Sequence, residues 1–315
     1  MSRGEGWSTA WRVLLAVGVA LLLGSAGIAS AQEIEPNDFL PLPDGTNVNL
    51  GYFVYGHMGS FVTPDGTNVP SSSANAFIGV ERFAHYQYMF DHPAGFLVAQ
   101  AFGSLSNPTV GGMNLGSVTG ASNFNLAGFF WPYADFEGKQ YLVIGAYLYP
   151  PTGTHNRDRP LNFAALYQPN GESNWTGDLQ IGWEHGIGEQ FSYDVAFDAR
   201  FFGDTTGPIQ PGIPLSVKTY HDPDYRMQVW FNWEWTRALR TAIGYQGFFG
   251  GLDHFSTPLT GTVNTGKSFE QRLRGAVTLF LSPQIQTVLE VNGDVARTGG
   301  FKQTIGTTLR FSYFF

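Results

Sequence analysis

The 315-residue sequence predicts an all-β fold, a transmembrane antiparallel β-barrel of about twelve strands with short turns at one end and long loops at the other. Three observations predict it. Segments of about ten residues alternate apolar and polar side chains with period two. Beyond the N-terminus no stretch can cross a bilayer as a helix, because Gly, Asn, Asp or Arg interrupts the apolar residues every few positions. The connections alternate short and long along the chain, a sorting that a soluble sandwich has no reason to adopt.

Composition agrees. Charged residues are 13% and aromatic residues 16%, with 40 glycines, which is low in charge and rich in rings for a soluble domain. The net charge of -8 argues against a nucleic-acid partner. Cysteine is absent, which excludes disulfides, thiolate metal sites and a lipid-modified N-terminal Cys.

The chain begins with a secretory leader, residues 1–31. Arg3 and Arg12 supply the basic start, 13–23 form an uncharged apolar run, and Ala29, Ser30 and Ala31 are small enough for a signal peptidase to cut before Gln32. Residues 32–47 form an N-terminal periplasmic segment able to enter the lumen, and 48–315 form the barrel.

The strands are expected at 48–58, 76–90, 96–103, 124–131, 140–149, 175–184, 190–201, 226–235, 239–249, 269–281, 285–295 and 301–315. The clearest is 190–201, where Phe191, Tyr193, Val195, Phe197, Ala199 and Phe201 alternate with Ser192, Asp194, Ala196, Asp198 and Arg200. In the last strand Ile305, Thr307, Leu309, Phe311, Tyr313 and Phe315 fall on the lipid face. Lys302, Thr304, Thr308, Arg310 and Ser312 fall on the other. An ending in Phe311, Tyr313 and Phe315 has the form of an outer-membrane insertion signal, read by the barrel-assembly machinery. Trp183, Tyr193, Trp233, Trp235, Tyr313 and Phe315 are expected to form an interfacial aromatic belt against outer-membrane lipid and lipopolysaccharide.

Short links are expected at 91–95, 132–139, 185–189, 236–238 and 282–283. Long ones are expected at 59–75, 104–123, 150–174, 203–225 and 250–267, and only 296–300 breaks the rule. Short turns belong to the periplasmic side and long loops to the outside.

Phe39-Leu40-Pro41-Leu42-Pro43 followed by Asp44-Gly45-Thr46-Asn47, together with Tyr149-Pro150-Pro151-Thr152-Gly153, resembles the MetA-pathway phenol-degradation family of outer-membrane transporters over nearly the whole mature chain. The resemblance implies a bacterial outer-membrane channel for phenols or other aromatic compounds. It carries over no catalytic residues and no cofactor.

Twelve charged residues are expected on the lumen face: Asp194, Asp198, Arg200, Arg226, Glu234, Arg240, Glu270, Arg272, Arg274, Glu290, Asp294 and Arg310. They line a wet channel or lock together across it, and the sequence supports both, since about twelve strands lies between the filled eight-stranded barrel and the open sixteen-stranded porin. Strands 96–103, 124–131 and 140–149 are apolar on both faces, so some of Phe96, Val98, Phe124, Leu126, Phe129, Trp131, Leu142, Ile144 and Leu148 are expected to point inward. The loop after Tyr149 adds His155, Arg157, Arg159, Phe163 and Tyr167 as a candidate substrate loop. A greasy wall facing a polar one suits a small hydrophobic solute with one polar group. Packing of that wall against a folded-in loop or against 32–47 is the alternative.

Other chemistry is thin. His221, Asp222 and Asp224, and Asp253 with His254, read as solvated turns rather than metal ligands, and residues 111–116 as a flexible loop. The sequence therefore points to a non-enzymatic channel for aromatic solutes. A structural or adhesive barrel is the second reading, and a lipid-modifying enzyme built on His57 and His85 across the first hairpin is the third.

Overall fold

The computed structural model describes residues 33–154, 174–208, 216–257, 261–264 and 266–315. Twelve long strands follow one another around a cylinder: β1 (Asn47–Val62), β2 (Ser73–Met89), β3 (His92–Val110), β4 (Asn125–Asp135), β5 (Gln140–Tyr149), β6 (Thr176–Ile187), β7 (Phe191–Phe202), β8 (Asp224–Glu234), β9 (Leu239–Phe249), β10 (Phe269–Ser282), β11 (Ile285–Thr298) and β12 (Gly300–Phe314). Each pairs antiparallel with the next, and β12 pairs with β1 from Val48↔Phe314 to Val62↔Gly300. Closure removes every sheet edge, as a strand surface in hydrocarbon requires.

The outer surface is apolar in the way lipid demands. Phe53, Phe77, Phe231, Ile243, Leu273 and Leu289 all face out, with Phe53 63% and Ile243 68% exposed. Rings gather at the short-turn end: Tyr133 stacks on Trp183, Trp233 on Trp235 at 4.1 Å, and Tyr313 on Phe315. The chain termini of the barrel meet there, where the Asn47 N–H donates to the Phe315 carbonyl at 2.8 Å.

The turns follow from local chemistry. Phe90 and Asp91 both have positive φ (53° and 62°) and alone join β2 to β3, which is the geometry of a two-residue hairpin turn whose twist matches the strands. At the opposite end Gly299, with φ +66°, is the single residue between β11 and β12. The other links at that end are long, and two of them build a small sheet from Thr205–Pro208, Ser216–His221, Asp253–Thr257 and Gly261–Asn264.

The last strand departs from strict alternation. Opposite β1 the register runs His57↔Ile305 and then Met58↔Gln303, so Thr304 is an extra residue. This bulge reverses the faces beyond it: Gln303 and Phe301 are buried inside, whereas Thr304 is exposed and Lys302 lies outside on the Val295 carbonyl. Thr304 and Lys302 are therefore not lumen residues. Ala196 also differs from a simple channel-lining position, being fully buried in one cluster with Ile34, Phe39 and Trp230.

Two substitutions on β7 separate the faces. Val195→Arg should cost about 2–4 kcal/mol in equilibrium folding into lipid, because it places a guanidinium in hydrocarbon. Ala196→Arg should instead dislodge residues 33–46 from the lumen, read as increased protease cutting of that segment in a barrel that still resists heat.

Candidate lumen site

The interior is divided. On one side, Tyr52, Ile78, Val80, Ala84, Leu97, Ala99 and Ala127 form an apolar wall carried by β1 to β4. On the other side, β6 to β12 present charges, and the ladder register places opposite charges face to face. Asp178 is the partner of Arg200, Asp198 of Arg226, Glu234 of Arg240, Glu270 of Arg297 and Arg272 of Asp294. Directly opposed side chains on neighbouring strands lie close enough to pair. Arg272 binds Asp294 at 2.8 Å and Glu270 at 3.2 Å, and Arg274 clasps Glu290 with contacts of 2.6 and 2.9 Å.

Ten of the twelve expected charged residues are buried in this wall. Glu234 and Arg240 pair with each other at 3.1 Å near the short turns and are partly exposed. Phe311, Tyr313 and Phe315 all face out. His155, Arg157, Arg159, Phe163 and Tyr167 lie outside the described residues.

Residues 33–46 enter the barrel from the short-turn end, and 33–42, buried or half-buried, close the space between the walls. Pro36 and Asn37 make a tight turn, in which the Glu35 N–H donates to Asp38 Oδ2 at 2.9 Å and Asn37 takes a positive φ of 62°, a conformation Asn tolerates. The turn aims Asn37 at β6 and β7: its N–H donates to Asp194 at 2.9 Å and its carboxamide to Glu184 at 3.0 Å. Asp38 binds Arg310 at 2.7 Å. The Ile34 carbonyl accepts from Trp230 Nε1 at 2.9 Å and from Arg274 at 3.2 Å, and Gln228 accepts the Ile34 N–H. On the apolar side Trp131 Nε1 donates to the Phe39 carbonyl at 2.8 Å. Two glycines make room, since a side chain at Gly182 would strike the Phe39 ring and one at Gly244 the Trp230 ring.

A cavity of about 500 Å³ remains between this segment and the wall. Its apolar lining includes Leu40, Leu42, Leu97, Phe129, Trp131 and Val143, and its polar lining includes Tyr86, Tyr147, Gln180, Arg82 and Arg310. Phe129 and Trp131 meet edge to face at 5.3 Å, with Tyr86 5.4 Å from Phe129.

The apolar wall includes the strands expected to carry it, and some of the residues named there do point inward. Of those expected to include inward side chains, Phe129 and Trp131 point in, whereas Phe96, Leu126, Ile144 and Leu148 are exposed outside. Val98 and Leu142 share their outward parity, and Phe124 precedes its strand, held by Thr152. Both faces of β3, β4 and β5 are apolar, so period two could not choose between them; the inward set is Leu97, Ala99, Ala127, Tyr141, Val143 and Tyr147. Trp230 and Gln180 were missed too. The available signal was a tryptophan on the polar parity of β8, between Gln228 and Asn232.

The two histidines of the first hairpin do not meet. His57 is opposite Asn75 and His85 is opposite Asn47, at opposite ends of the β1–β2 ladder, each bonded to that asparagine. The His221 region is not a solvated turn either. Strand pairing brings residues 32 apart in sequence together: His221 Nδ1 lies 2.6 Å from Asp253 and Nε2 2.8 Å from Asp224, and the ring is buried. Carboxylates only accept, so both ring nitrogens carry protons. Burial alone would pull this imidazolium down, but the hydrogen bonds and charges of Asp224 and Asp253 outweigh it and push it up to about 10. Among the described residues no group of side chains is arranged to hold a metal ion.

A closed antiparallel cylinder with an apolar exterior and a buried polar wall defines the fold as an outer-membrane β-barrel. The chain matches, over residues 59–311, the family model described as "Putative MetA-pathway of phenol degradation", and it belongs to that family. It is similar to an outer membrane channel from Pseudomonas putida F1, with TM-score 0.78 and 22% identity, covering 90% of this chain and 100% of that one. More distant likenesses are the β domain of the Bordetella autotransporter BrkA (TM-score 0.53, 9% identity, 86% of this chain and 100% of that one) and the transport unit of the autotransporter AIDA-I from Escherichia coli (0.52, 9%, 95% and 97%). No curated protein matches.

The raised His221 sets a pH window. Its folded value of about 10 exceeds the ordinary 6.5, so the bridge between the external strands is fully present below pH about 6.5 and lost as pH rises through about 10. Protease nicking of the loops should therefore increase between pH 8 and pH 10.5 in the natural chain, and much less in His221→Gln, whose loops are already loose at pH 8.

Proposed function

We propose that the protein is an outer-membrane channel that takes up small hydrophobic solutes, aromatic and phenol-like in kind, and that it acts without catalysis. The observation that carries this reading is the divided lumen: a cavity of about 500 Å³ lies against Leu97, Phe129, Trp131 and Val143, with polar groups at its margin. That volume falls within the range of pockets that bury a small organic ligand, and mostly apolar walls with few polar groups are their usual chemistry. Family membership and the likeness to an outer membrane channel support it.

In this reading residues 33–46 are a plug, and passage requires the segment to move aside. The contacts holding it are individually modest hydrogen bonds and ion pairs, and water can replace them when the lumen floods. A second reading, a structural or adhesive barrel, draws on the same plug and on the external four-stranded sheet.

Phenol flux into proteoliposomes and single-channel conductance decide between them. The mature chain should pass phenol, and deletion of residues 33–46 should raise conductance severalfold. A deletion variant that folds as a barrel yet passes neither ions nor phenol would overturn the channel reading in favour of the structural one.

A further inference from the structure

We infer that Tyr147 reads a hydrogen-bond donor on the solute, so that the cavity selects aromatic rings bearing a hydroxyl or amino group over bare or acceptor-only rings. The inference rests on the channel reading above and refines its substrate class.

The direction of each proton in a short relay fixes the selectivity. Asp198 Oδ2 accepts from Arg226 Nε at 3.3 Å and from Gln228 Nε2 at 3.4 Å, and Oδ1 faces Gln180 Nε2 at 2.7 Å. A carboxylate can only accept, so Gln180 must turn its NH₂ to Asp198 and its carbonyl to Tyr147. That carbonyl also only accepts. Tyr147 therefore spends its single proton on Gln180, at 3.0 Å. What the Tyr147 oxygen retains is lone pairs, and they can only receive a proton-bearing group.

The relay borders the cavity, because Tyr147 and Gln180 both line it beside Phe129, Trp131, Leu97 and Val143. Gly145 leaves the Tyr147 ring room to lie flat, since a Cβ there would come within 3.1 Å of the ring. A solute ring seated against Phe129 and Trp131 with its polar end at Tyr147 thus meets an acceptor there. The cavity's other polar edge is occupied differently: Arg310 is bound to Asp38 and Gln286, and Arg240 to Glu234. A solute that only accepts, such as a carboxylate, would instead be drawn to the guanidiniums that line the cavity, Arg310 among them.

The test is calorimetric titration of the mature barrel in detergent with phenol, aniline, anisole, toluene and benzoate, repeated on Tyr147→Phe. Phenol and aniline should bind about tenfold tighter than anisole and toluene, the scale of one neutral hydrogen bond, and the gap should vanish in Tyr147→Phe. Unchanged toluene affinity in that variant establishes that its cavity is intact. Equal binding of phenol and anisole in the natural chain, a gap that survives the substitution, or benzoate binding tightest would each overturn the inference and leave the channel reading standing. Binding of none of the five would overturn both.

Discussion

The Arg274 guanidinium joins the two parts of this molecule. It clasps Glu290 with two nitrogens, donates to Gln228 and to the Ile34 carbonyl, and lies 4.5 Å over the Trp230 ring. A charge buried this deeply is tolerable only when every direction is answered. Here one of the answers comes from the N-terminal segment, and Glu33 adds a second carboxylate at 3.9 Å. The wall of charges on β6 to β12 and residues 33–46 are thus mutually dependent: the segment supplies groups the wall lacks, and the wall holds in place a segment with no secondary structure of its own. Partly answered networks are costly in a low-dielectric interior, which favours a single well-defined closed arrangement.

The number of strands explains why such a segment is needed. Eight strands leave an interior that side chains fill, and sixteen leave an aqueous pore. Twelve leave a space too wide for opposing side chains to bridge and narrow enough for one extended segment to occupy. Because β1 to β4 offer small and aliphatic residues and β6 to β12 offer charges, the segment binds by polar contacts to one side and leaves its looser face toward the other. The cavity forms on that looser face, where an apolar solute would meet the least competition from hydrogen bonds.

Much of the barrel was legible in the sequence, because strands with one lipid face and one polar face write their orientation with period two. β7 and β8 are cases where every inward charge falls on its expected parity. Legibility failed where that contrast vanished. β3, β4 and β5 are apolar on both faces, so Phe96 and Leu97 were indistinguishable by pattern although one meets lipid and the other the lumen. The bulge at Thr304 leaves no mark in composition and still reverses Lys302. The His221 bridge depends on pairing between two loops, which spacing along the chain does not reveal. The N-terminal segment was legible only as a stretch, 32–47, able to enter the lumen; its anchors, Asn37 on Asp194 and Ile34 on Gln228, join residues more than 150 positions apart.

Hydrogen exchange at the amides of Ile34 and Asn37 in the folded barrel tests the central claim most directly. Each donates to a buried wall residue, at 3.1 Å to Gln228 and 2.9 Å to Asp194. The account predicts exchange slowed by orders of magnitude relative to an unstructured peptide, with protection lost when Arg274 is replaced by Met and the barrel strands remain protected. Exchange at the free-peptide rate in the natural chain would contradict it, and would mean that the segment hangs in the periplasm and leaves the lumen open.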